Sequence, residues 1–202
     1  MIAIIDYGMG NLYSVEKAFV KLGTEVAVSS DPLVIAAAEK VVLPGVGAFG
    51  DCMDNLQKCH LVPVIHKVIQ EGKPFLGICL GLQVLFEGSE EDPGVKGLGV
   101  FPGMIRKIVA PGMKIPQMGW NSLLYRNSTP LFAGLPETAY VYFVHSFHAV
   151  PENPEVVTAV TDYGGPVTAA VGRGNVQAVQ FHPEKSSSIG LDLLRNFVQM
   201  KA

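Results

Sequence analysis

The stretch Pro74–Phe86, PFLGICLGLQVLF, consists of two apolar segments joined at a single cysteine, Cys79. The first segment has the composition of a buried strand and the second that of a helix. Gly77 and Gly81 stand two positions before and after the cysteine. This spacing is typical of a nucleophile elbow, a sharp strand-to-helix turn in which glycines let the chain bend beside neighbouring backbone. The stretch therefore predicts a strand-turn-helix unit of the kind found in α/β proteins.

Strands and helices alternate on the N-terminal side of this elbow. Asn11 and Asp31 are suited to cap helices, and Gly23 is suited to end one. The predicted strands are 2–5, 25–28, 40–43 and 73–78, and the predicted helices are 12–22, a short one from 32, 49–58, 61–70 and 80–86. Alternation of this kind indicates a mostly parallel sheet with helices on both faces.

After Gly88 the sequence changes to short strands separated by glycine and proline. The predicted strands are 100–101, 105–109, 140–144, 167–171 and 176–181, with a hairpin turn at 172–175 and a last helix at 189–200. This half predicts a mixed or antiparallel part of the sheet. No repeat or linker interrupts the chain. We therefore predict one α/β domain, 1–202, with a central mostly parallel, partly mixed sheet flanked by helices.

Composition excludes several classes of protein. The 202 residues are 49% hydrophobic and carry a formal net charge of −3, with no basic stripe that would bind nucleic acid. No apolar run approaches the roughly 20 residues that a membrane span needs. The three cysteines, an odd number with irregular spacing, argue against a disulfide framework. We expect a cytoplasmic protein with reduced thiols and no membrane association.

Cys79 is the first candidate for chemistry. At the start of a helix it feels the positive end of the helix dipole, which favours the nucleophilic thiolate. The N–H of Leu80, in the first turn, is free to donate to an oxyanion. The alternative is an ordinary packing cysteine, because free cysteine is often buried. The elbow alone leaves both interpretations open.

A candidate base and its orienting group follow the strand 176–180. His182 and Glu184 are two positions apart, so in an extended segment they point the same way, and Pro183 favours such a segment. A carboxylate that fixes a histidine beside a nucleophile is the general arrangement of an activated thiol. Either residue alone has an ordinary surface explanation, but the set of three indicates catalysis.

Two other patterns in the sequence compete with this site. Gly45–Gly50, GVGAFG, matches the glycine pattern of dinucleotide-binding loops, but no strand ending in an acidic residue follows about 20 positions later. The loop instead suits close approach of backbone N–H groups to a substrate. Cys52 and Cys59-His60 lack the spacing of a zinc site. We expect neither a metal nor a cofactor.

Three motifs together resemble the class I, triad-type glutamine amidotransferases: Pro44–Gly47 (PGVG), Gly77–Gln83 (GICLGLQ) and Phe181–Glu184 (FHPE). Within that family, three more segments resemble the branch that forms separate glutaminase subunits of imidazole glycerol phosphate synthases. These segments are 5–12 (IDYGMGNL), 118–121 (MGWN) and 144–147 (VHSF). The resemblance covers essentially the whole chain.

This resemblance implies the roles of the site residues. Cys79 would attack the side-chain amide of L-glutamine, His182 would protonate the departing ammonia, and Glu184 would orient His182. Water would then hydrolyse the thioester to glutamate. Backbone N–H groups at Leu80 and in the Pro44–Gly47 loop, at Val46 or Gly47, would hold the oxyanion.

The resemblance also implies how the amino-acid end of glutamine is held. Gln83, Glu91 and the backbone at Ser146 and Phe147 match positions with this role in the family. The family often has tyrosine where this chain has Phe147, so a contact there would involve the backbone and not a hydroxyl.

A partner follows from the same resemblance. The ammonia would pass to a (β/α)8-barrel cyclase subunit, in a 1:1 heterodimer, which makes imidazole glycerol phosphate and aminoimidazole carboxamide ribotide in histidine biosynthesis. Trp120, Asn121, Tyr142 and His145 match the face toward that partner, although aromatic residues near strands usually pack in the core. The Pro44–Gly47 loop would be misoriented until the partner and its ligand bind. Two alternatives stay open: an inactive regulatory relative, and a cysteine peptidase-like hydrolase.

Overall fold

The computed structural model describes residues 1–201 as thirteen strands and six helices. The strands are β1 (Ile2–Ile5), β2 (Val26–Ser29), β3 (Lys40–Gly45), β4 (Phe75–Cys79), β5 (Gly88–Ser89), β6 (Gly103–Lys107), β7 (Gln117–Ser122), β8 (Leu124–Tyr125), β9 (Tyr140–His145), β10 (Phe147–Pro151), β11 (Val157–Asp162), β12 (Pro166–Arg173) and β13 (Val176–Val179). The helices are α1 (Leu12–Lys21), α2 (Pro32–Ala37), α3 (Phe49–Lys58), α4 (Val62–Gln70), α5 (Leu80–Gln83) and α6 (Ser187–Gln199). Single 3-10 turns lie at Pro130–Phe132, Pro154–Val156 and Pro183–Lys185.

The main sheet has eight strands in the order β2-β1-β3-β4-β13-β12-β11-β8. The first five run parallel, and antiparallel pairs add the last three. Two smaller sheets, β10-β6-β5 and β7-β9, complete the fold. The predicted fold class, α/β with a mostly parallel and partly mixed central sheet, is confirmed. The carboxyl ends of β3, β4 and β13 lie side by side, as expected for the edge of a parallel sheet where sites form.

Both faces of the parallel strands are buried. Successive side chains of a strand point to opposite faces, so Ile2 and Ile4 join one core with α1 and α6, while Ala3 and Ile5 join the other with α3 and α4. All five residues of β4 are buried. This explains why the strands are apolar throughout and do not alternate.

Local capping explains where the first helices begin. The Asn11 side chain accepts a hydrogen bond from the Ser14 N–H at 3.4 Å, and the Asp31 side chain accepts one from the Leu33 N–H at 2.8 Å. Both side chains satisfy N–H groups that a helix start leaves without partners. Gly23, at φ 74°, follows the end of α1. These three predictions are confirmed.

The helix after the elbow is shorter than predicted. The interpretation of 80–86 as one helix is wrong, because α5 ends at Gln83. The carbonyl oxygens of the next residues accept hydrogen bonds from a neighbouring loop: that of Val84 from the Leu98 N–H at 2.7 Å, and that of Leu85 from the Val100 N–H at 2.8 Å. These bonds replace the ones that would have continued the helix.

The same contacts overturn one predicted strand. The Val100 and Phe101 N–H groups both donate to the Leu85 carbonyl, which bends the chain at 100–101 instead of extending it. The sequence reasoning also missed β5, β7, β8, β10 and β11. Strand β7, QMGWNS, contains a glycine and has little apolar alternation, so its sequence gives a weak strand signal.

Within residues 1–201, no helix combines the length and apolar character that a membrane span requires. The longest of the described helices, α6, has 13 residues.

We expect Gly81→Ala to destabilise the fold strongly. A Cβ at this position would run into the carbonyl oxygen of Leu43, which belongs to β3 and cannot move aside without disturbing the β3–β4 pairing. The free energy of unfolding, measured by urea denaturation, should fall by about 3 kcal/mol or more.

Gly50→Ala, within α3, is the matched control. Its new methyl group would meet only the Asp92 side chain, at 3.0 Å, so the change should stay below about 1 kcal/mol. Equal losses in the two variants would contradict the close-contact explanation.

Candidate active site

Cys79 lies at a strained turn between β4 and α5. Its φ is 56° and its ψ is −108°, a backbone conformation that non-glycine residues rarely adopt. Gly77 and Gly81 permit the turn, because a Cβ on Gly77 would lie 2.6 Å from the Gly81 carbonyl oxygen and one on Gly81 would strike β3. The residue is 7% exposed. The elbow therefore presents one thiol at the carboxyl edge of the sheet.

His182 and Glu184 form a buried pair. His182 Nδ1 lies 2.8 Å from Glu184 Oε1, and the two side chains are 3% and 1% exposed. The extended arrangement predicted for these residues is wrong, because Pro183 begins a 3-10 turn and the Lys185 N–H donates to the His182 carbonyl at 3.1 Å. Proline's fixed φ suits the first position of a helical turn. The turn still brings the carboxylate to the ring, and it leaves His182 Nε2 without a hydrogen-bond partner among the described residues.

Opposing effects set the pKa of His182. Burial lowers the pKa, but interactions with the Cys79 sulfur and with the Glu184 carboxylate outweigh burial and raise the pKa to about 10. The ring is thus held as an imidazolium at neutral pH beside the Cys79 sulfur. A thiolate–imidazolium pair is the state in which a cysteine attacks carbonyl carbon.

A cavity of about 290 Å³ opens over the elbow. Most of the residues singled out from the sequence line it. Its lining is Val46, Gly47, Cys79, Leu80, Gln83, Glu91, Pro116, Val144, His145, Ser146, Phe147 and His182. The structure thus brings together the proposed oxyanion and substrate positions with the thiol and the imidazole, while their individual roles stay predictions.

The loop after β3 forms one wall of the cavity. Gly45 is in register with Cys79, and the Tyr7 hydroxyl donates to the Pro44 carbonyl at 3.0 Å. Val46 is 40% exposed, and Gly47 has a φ of 111°. The β3 end of this loop is therefore anchored, and its backbone beyond Gly45 lies at the cavity.

Glu91 forms part of another wall and has a structural partner there. Its Oε2 accepts from the Phe49 N–H at 3.0 Å, and Asp92 accepts from the Gly50 N–H at 2.7 Å. The two carboxylates occupy the start of α3, where Ala48 supplies no side-chain cap. Glu91 is held in place through Oε2, and its Oε1 is available to accept a further hydrogen bond.

The predicted partner face divides into exposed and buried members. Trp120 is 54% exposed and packs edge-on against Tyr142 with ring centroids 6.2 Å apart, so the core-packing alternative is wrong for Trp120. The Asn121 side chain donates to the Asp162 carbonyl at 2.9 Å. His145 is only 6% exposed and lines the cavity. The β7–β9 sheet, next to the site, contains Trp120, Asn121 and Tyr142.

Sequence reasoning missed a second amide near the thiol. The Gln180 side chain is fully buried, and its Nε2 donates to Cys79 Sγ at 3.6 Å. Gln180 lies two positions before His182 in the chain, just after β13 ends at Val179. The available signal was a polar residue in an otherwise apolar run, but Gln177 gives the same signal three positions earlier.

The other cysteines differ from Cys79. Burial raises the pKa of Cys52 to about 12, so this thiol stays protonated. Cys59 lies at the end of α3, away from the cavity. In residues 1–201 no group of three or more His, Cys, Asp and Glu side chains could hold a metal ion.

Comparison with known proteins identifies the family. The model of the class I glutamine amidotransferases matches residues 3–200. The chain belongs to this family. The elbow, the histidine and the carboxylate therefore stand in a fold that is shared by glutamine-dependent enzymes.

Individual relatives indicate which branch of the family the chain resembles most. The imidazole glycerol phosphate synthase subunit HisH of Thermosynechococcus vestitus is 54% identical, over 98% of this chain and 96% of that protein. The subunit of the same name from Syntrophotalea carbinolica is 51% identical, over 99% and 100%. The predicted resemblance to the glutaminase subunit is confirmed. Among solved structures, one of PurLQS from Thermotoga maritima shares the fold with a TM-score of 0.74 at 21% identity, covering 98% of this chain and 96% of that one.

We expect Cys79→Gly to be more stable than Cys79→Ala. Glycine adopts positive φ freely, whereas alanine keeps the strain of the elbow, about 1–3 kcal/mol. Urea denaturation of both variants should show a difference of about 1 kcal/mol or more in favour of glycine. Glycine usually destabilises relative to alanine, so the opposite order would count against strain at this residue.

His145 is a buried neutral histidine. Its Nδ1 lies 2.8 Å from the Phe147 carbonyl oxygen, and its Nε2 lies 3.0 Å from the Gln117 side-chain oxygen. Burial lowers its pKa to about 4. Because the carbonyl can only accept, the neutral ring carries its proton on Nδ1. Nε2 then accepts a hydrogen bond. The donor is the Gln117 NH2 group when that amide is turned toward the ring, and this NH2 group has no other partner among the described residues.

This histidine predicts a pH dependence of stability. In the unfolded chain the pKa of His145 is about 6.5, so the unfolded state binds a proton below that pH. The folded state binds this proton only below about pH 4. The contribution of His145 to stability is therefore complete above pH 6.5 and is lost as the pH falls, by at most about 3 kcal/mol. Urea denaturation should show that the wild type's advantage over His145→Gln shrinks between about pH 6.5 and about pH 4. A constant difference would contradict burial of the neutral ring.

Proposed function

We propose that this chain is the glutaminase subunit of an imidazole glycerol phosphate synthase and that Cys79, His182 and Glu184 carry out its reaction. The observation that carries the proposal is the shared cavity, in which a thiol on a strained elbow and a carboxylate-bound imidazolium face one space. The reaction converts L-glutamine and water to glutamate and ammonia. Identity above 50% over nearly the whole chain supports this substrate.

Acylation begins at the sulfur. The Cys79 thiolate attacks the side-chain amide carbon of glutamine, and the developing oxyanion accepts from the Leu80 N–H and from a peptide N–H at Val46 or Gly47. His182 then gives its Nε2 proton to the amide nitrogen. Ammonia leaves, and a thioester on Cys79 remains.

Deacylation uses the same residues in the opposite sense. The neutral His182 removes a proton from water, whose oxygen attacks the thioester carbon. The C–S bond breaks, glutamate leaves, and the thiolate–imidazolium pair is restored. Glu184 holds the ring through Nδ1, so that Nε2 serves both steps.

The amino-acid end of glutamine binds at the other side of the cavity. The Gln83 nitrogen already donates to the Phe147 carbonyl and to Gln180, each at 3.1 Å, so its oxygen is left to accept from the substrate. The free oxygen of Glu91 suits the substrate ammonium. The backbone at Ser146 and Phe147 completes this end of the site.

The partner is a cyclase subunit, expected in a 1:1 heterodimer, that uses the ammonia to make imidazole glycerol phosphate and aminoimidazole carboxamide ribotide. Free ammonia would be protonated and lost in water, so the exit must be covered. The exposed Trp120, packed against the half-buried Tyr142 beside the cavity, suits an aromatic contact with that subunit. The subunit names of the relatives support such an assembly. The cytoplasmic location stays a prediction.

Partner binding also controls the rate. The Val46–Gly47 backbone adopts its oxyanion-binding orientation when the cyclase and its ligand are present. Isolated chain therefore turns over glutamine slowly, which prevents waste of ammonia.

Cys79→Ser should abolish glutamine turnover without weakening the complex. The hydroxyl keeps the shape of the side chain but is a far poorer nucleophile, so glutamate release should fall by at least about a thousandfold. Release is measured with and without the cyclase and its ligand, and complex formation by co-purification. Cys59→Ser, remote from the cavity, is the control and should keep full activity.

Unchanged turnover in Cys79→Ser would overturn the triad. Rapid glutamate release by the isolated wild-type chain would overturn control by the partner but leave the triad standing. Cleavage of peptides without cleavage of glutamine would favour a peptidase-like hydrolase.

A further inference from the structure

Gln180 has no part in the mechanism above, yet it contacts the reacting sulfur. It follows β13 at the carboxyl edge of the sheet, where its backbone N–H donates to the Ala169 carbonyl at 2.8 Å. Its side chain is fully buried between Cys79 and Gln83. A buried amide at this position needs partners for both its donor and its acceptor.

A chain of hydrogen bonds fixes the orientation of this amide. The Phe147 carbonyl oxygen can only accept, so the Gln83 group that lies 3.1 Å from it must be the nitrogen. The same nitrogen has a second hydrogen, which it donates to Gln180 Oε1 at 3.1 Å. The Gln180 oxygen is thereby occupied, and its Nε2 is left to face Cys79 Sγ at 3.6 Å.

The reversed orientation is unfavourable at both ends. Turning the Gln180 amide over would place its oxygen against the sulfur and its NH2 against the Gln83 NH2. A thiolate would then meet a partial negative charge, and two donors would face each other in a buried site. The backbone carbonyl of Phe147 thus determines, through two side chains, that an N–H donor faces the nucleophile.

We propose that Gln180 is a further catalytic residue, whose side-chain N–H stabilises the Cys79 thiolate and holds its sulfur at the cavity. A negatively charged sulfur accepts a hydrogen bond more strongly than a neutral thiol does, so the donor favours the reactive form. The His182 ring supplies the positive charge, and Gln180 supplies a fixed dipole that does not titrate. The proposal rests on Cys79 as the nucleophile of the proposed function.

The test is the pH dependence of Cys79 alkylation by iodoacetamide, which reports thiolate formation and requires no glutamine turnover. The full chain carries Cys59→Ser to remove the partly exposed thiol, and mass spectrometry identifies the modified peptide. In Gln180→Met the side chain keeps its length but loses the donor. We expect the midpoint of the alkylation profile to rise by about one pH unit or more, and kcat for glutamine to fall at least about tenfold with little change in KM.

Gln177→Met is the matched control. Gln177 lies in β13, three residues before Gln180, and is also buried, but its side chain bonds to Thr129 and Gly174 and not to Cys79. Its replacement should lower stability and leave the alkylation profile unchanged. An unchanged profile in Gln180→Met, or an equal shift in both variants, would overturn the proposal.

If Gln180→Met does not fold, Gln83→Met decides the question. It keeps Gln180 but removes the hydrogen bond that orients it, so the midpoint should rise by a smaller amount. No shift would overturn the proposal. A wild-type chain that shows the expected alkylation behaviour but never releases glutamate with the cyclase would refute the proposed function instead.

Discussion

The close approach of the elbow to the backbone of β3 is the constraint on which the site depends. Gly81 packs against the Leu43 carbonyl, and Gly45 packs against the Leu80 Cβ, so the two segments lie closer than a side chain at either glycine would allow. This contact sets the distance between the thiol and the loop that follows β3. It also holds Cys79 in a conformation that its own backbone disfavours. Packing of the two cores on the faces of the sheet supplies the stability that tolerates this strain.

Two buried histidines in one cavity show that neighbouring groups determine whether burial lowers the pKa of an imidazole. His145 meets a backbone carbonyl and a neutral amide, so desolvation prevails and the ring stays neutral. His182 meets a carboxylate and a sulfur that can be anionic, and these reverse the effect of desolvation. The fold thus keeps one imidazole as a fixed neutral partner and the other as a proton donor, and both line the cavity that contains the thiol.

The sequence predicted the parallel half of the fold well, because its strands are buried on both faces and its helices carry local caps such as Asn11 and Asp31. It also located Cys79, His182 and Glu184 through their spacing. The prediction was wrong at 84–86 and 100–101, where hydrogen bonds between two loops override the local preference for helix and strand. It was also wrong at Pro183, which begins a 3-10 turn and not an extended segment. The contact of Gln180 with the thiol and the burial of His145 could not be predicted, because both depend on strands that are distant in sequence.

The two ends of the loop after β3 are fastened independently. Gly45 lies within the sheet ladder, and the N–H groups of Phe49 and Gly50 are tied to Glu91 and Asp92. Only 46–48 are left between these clamps. A conformational change in this loop is therefore confined to the rotation of one or two peptide units, while the residues on either side stay fixed. Such a rotation can reverse the direction of an N–H group without disturbing the sheet, the thiol or the helix that follows.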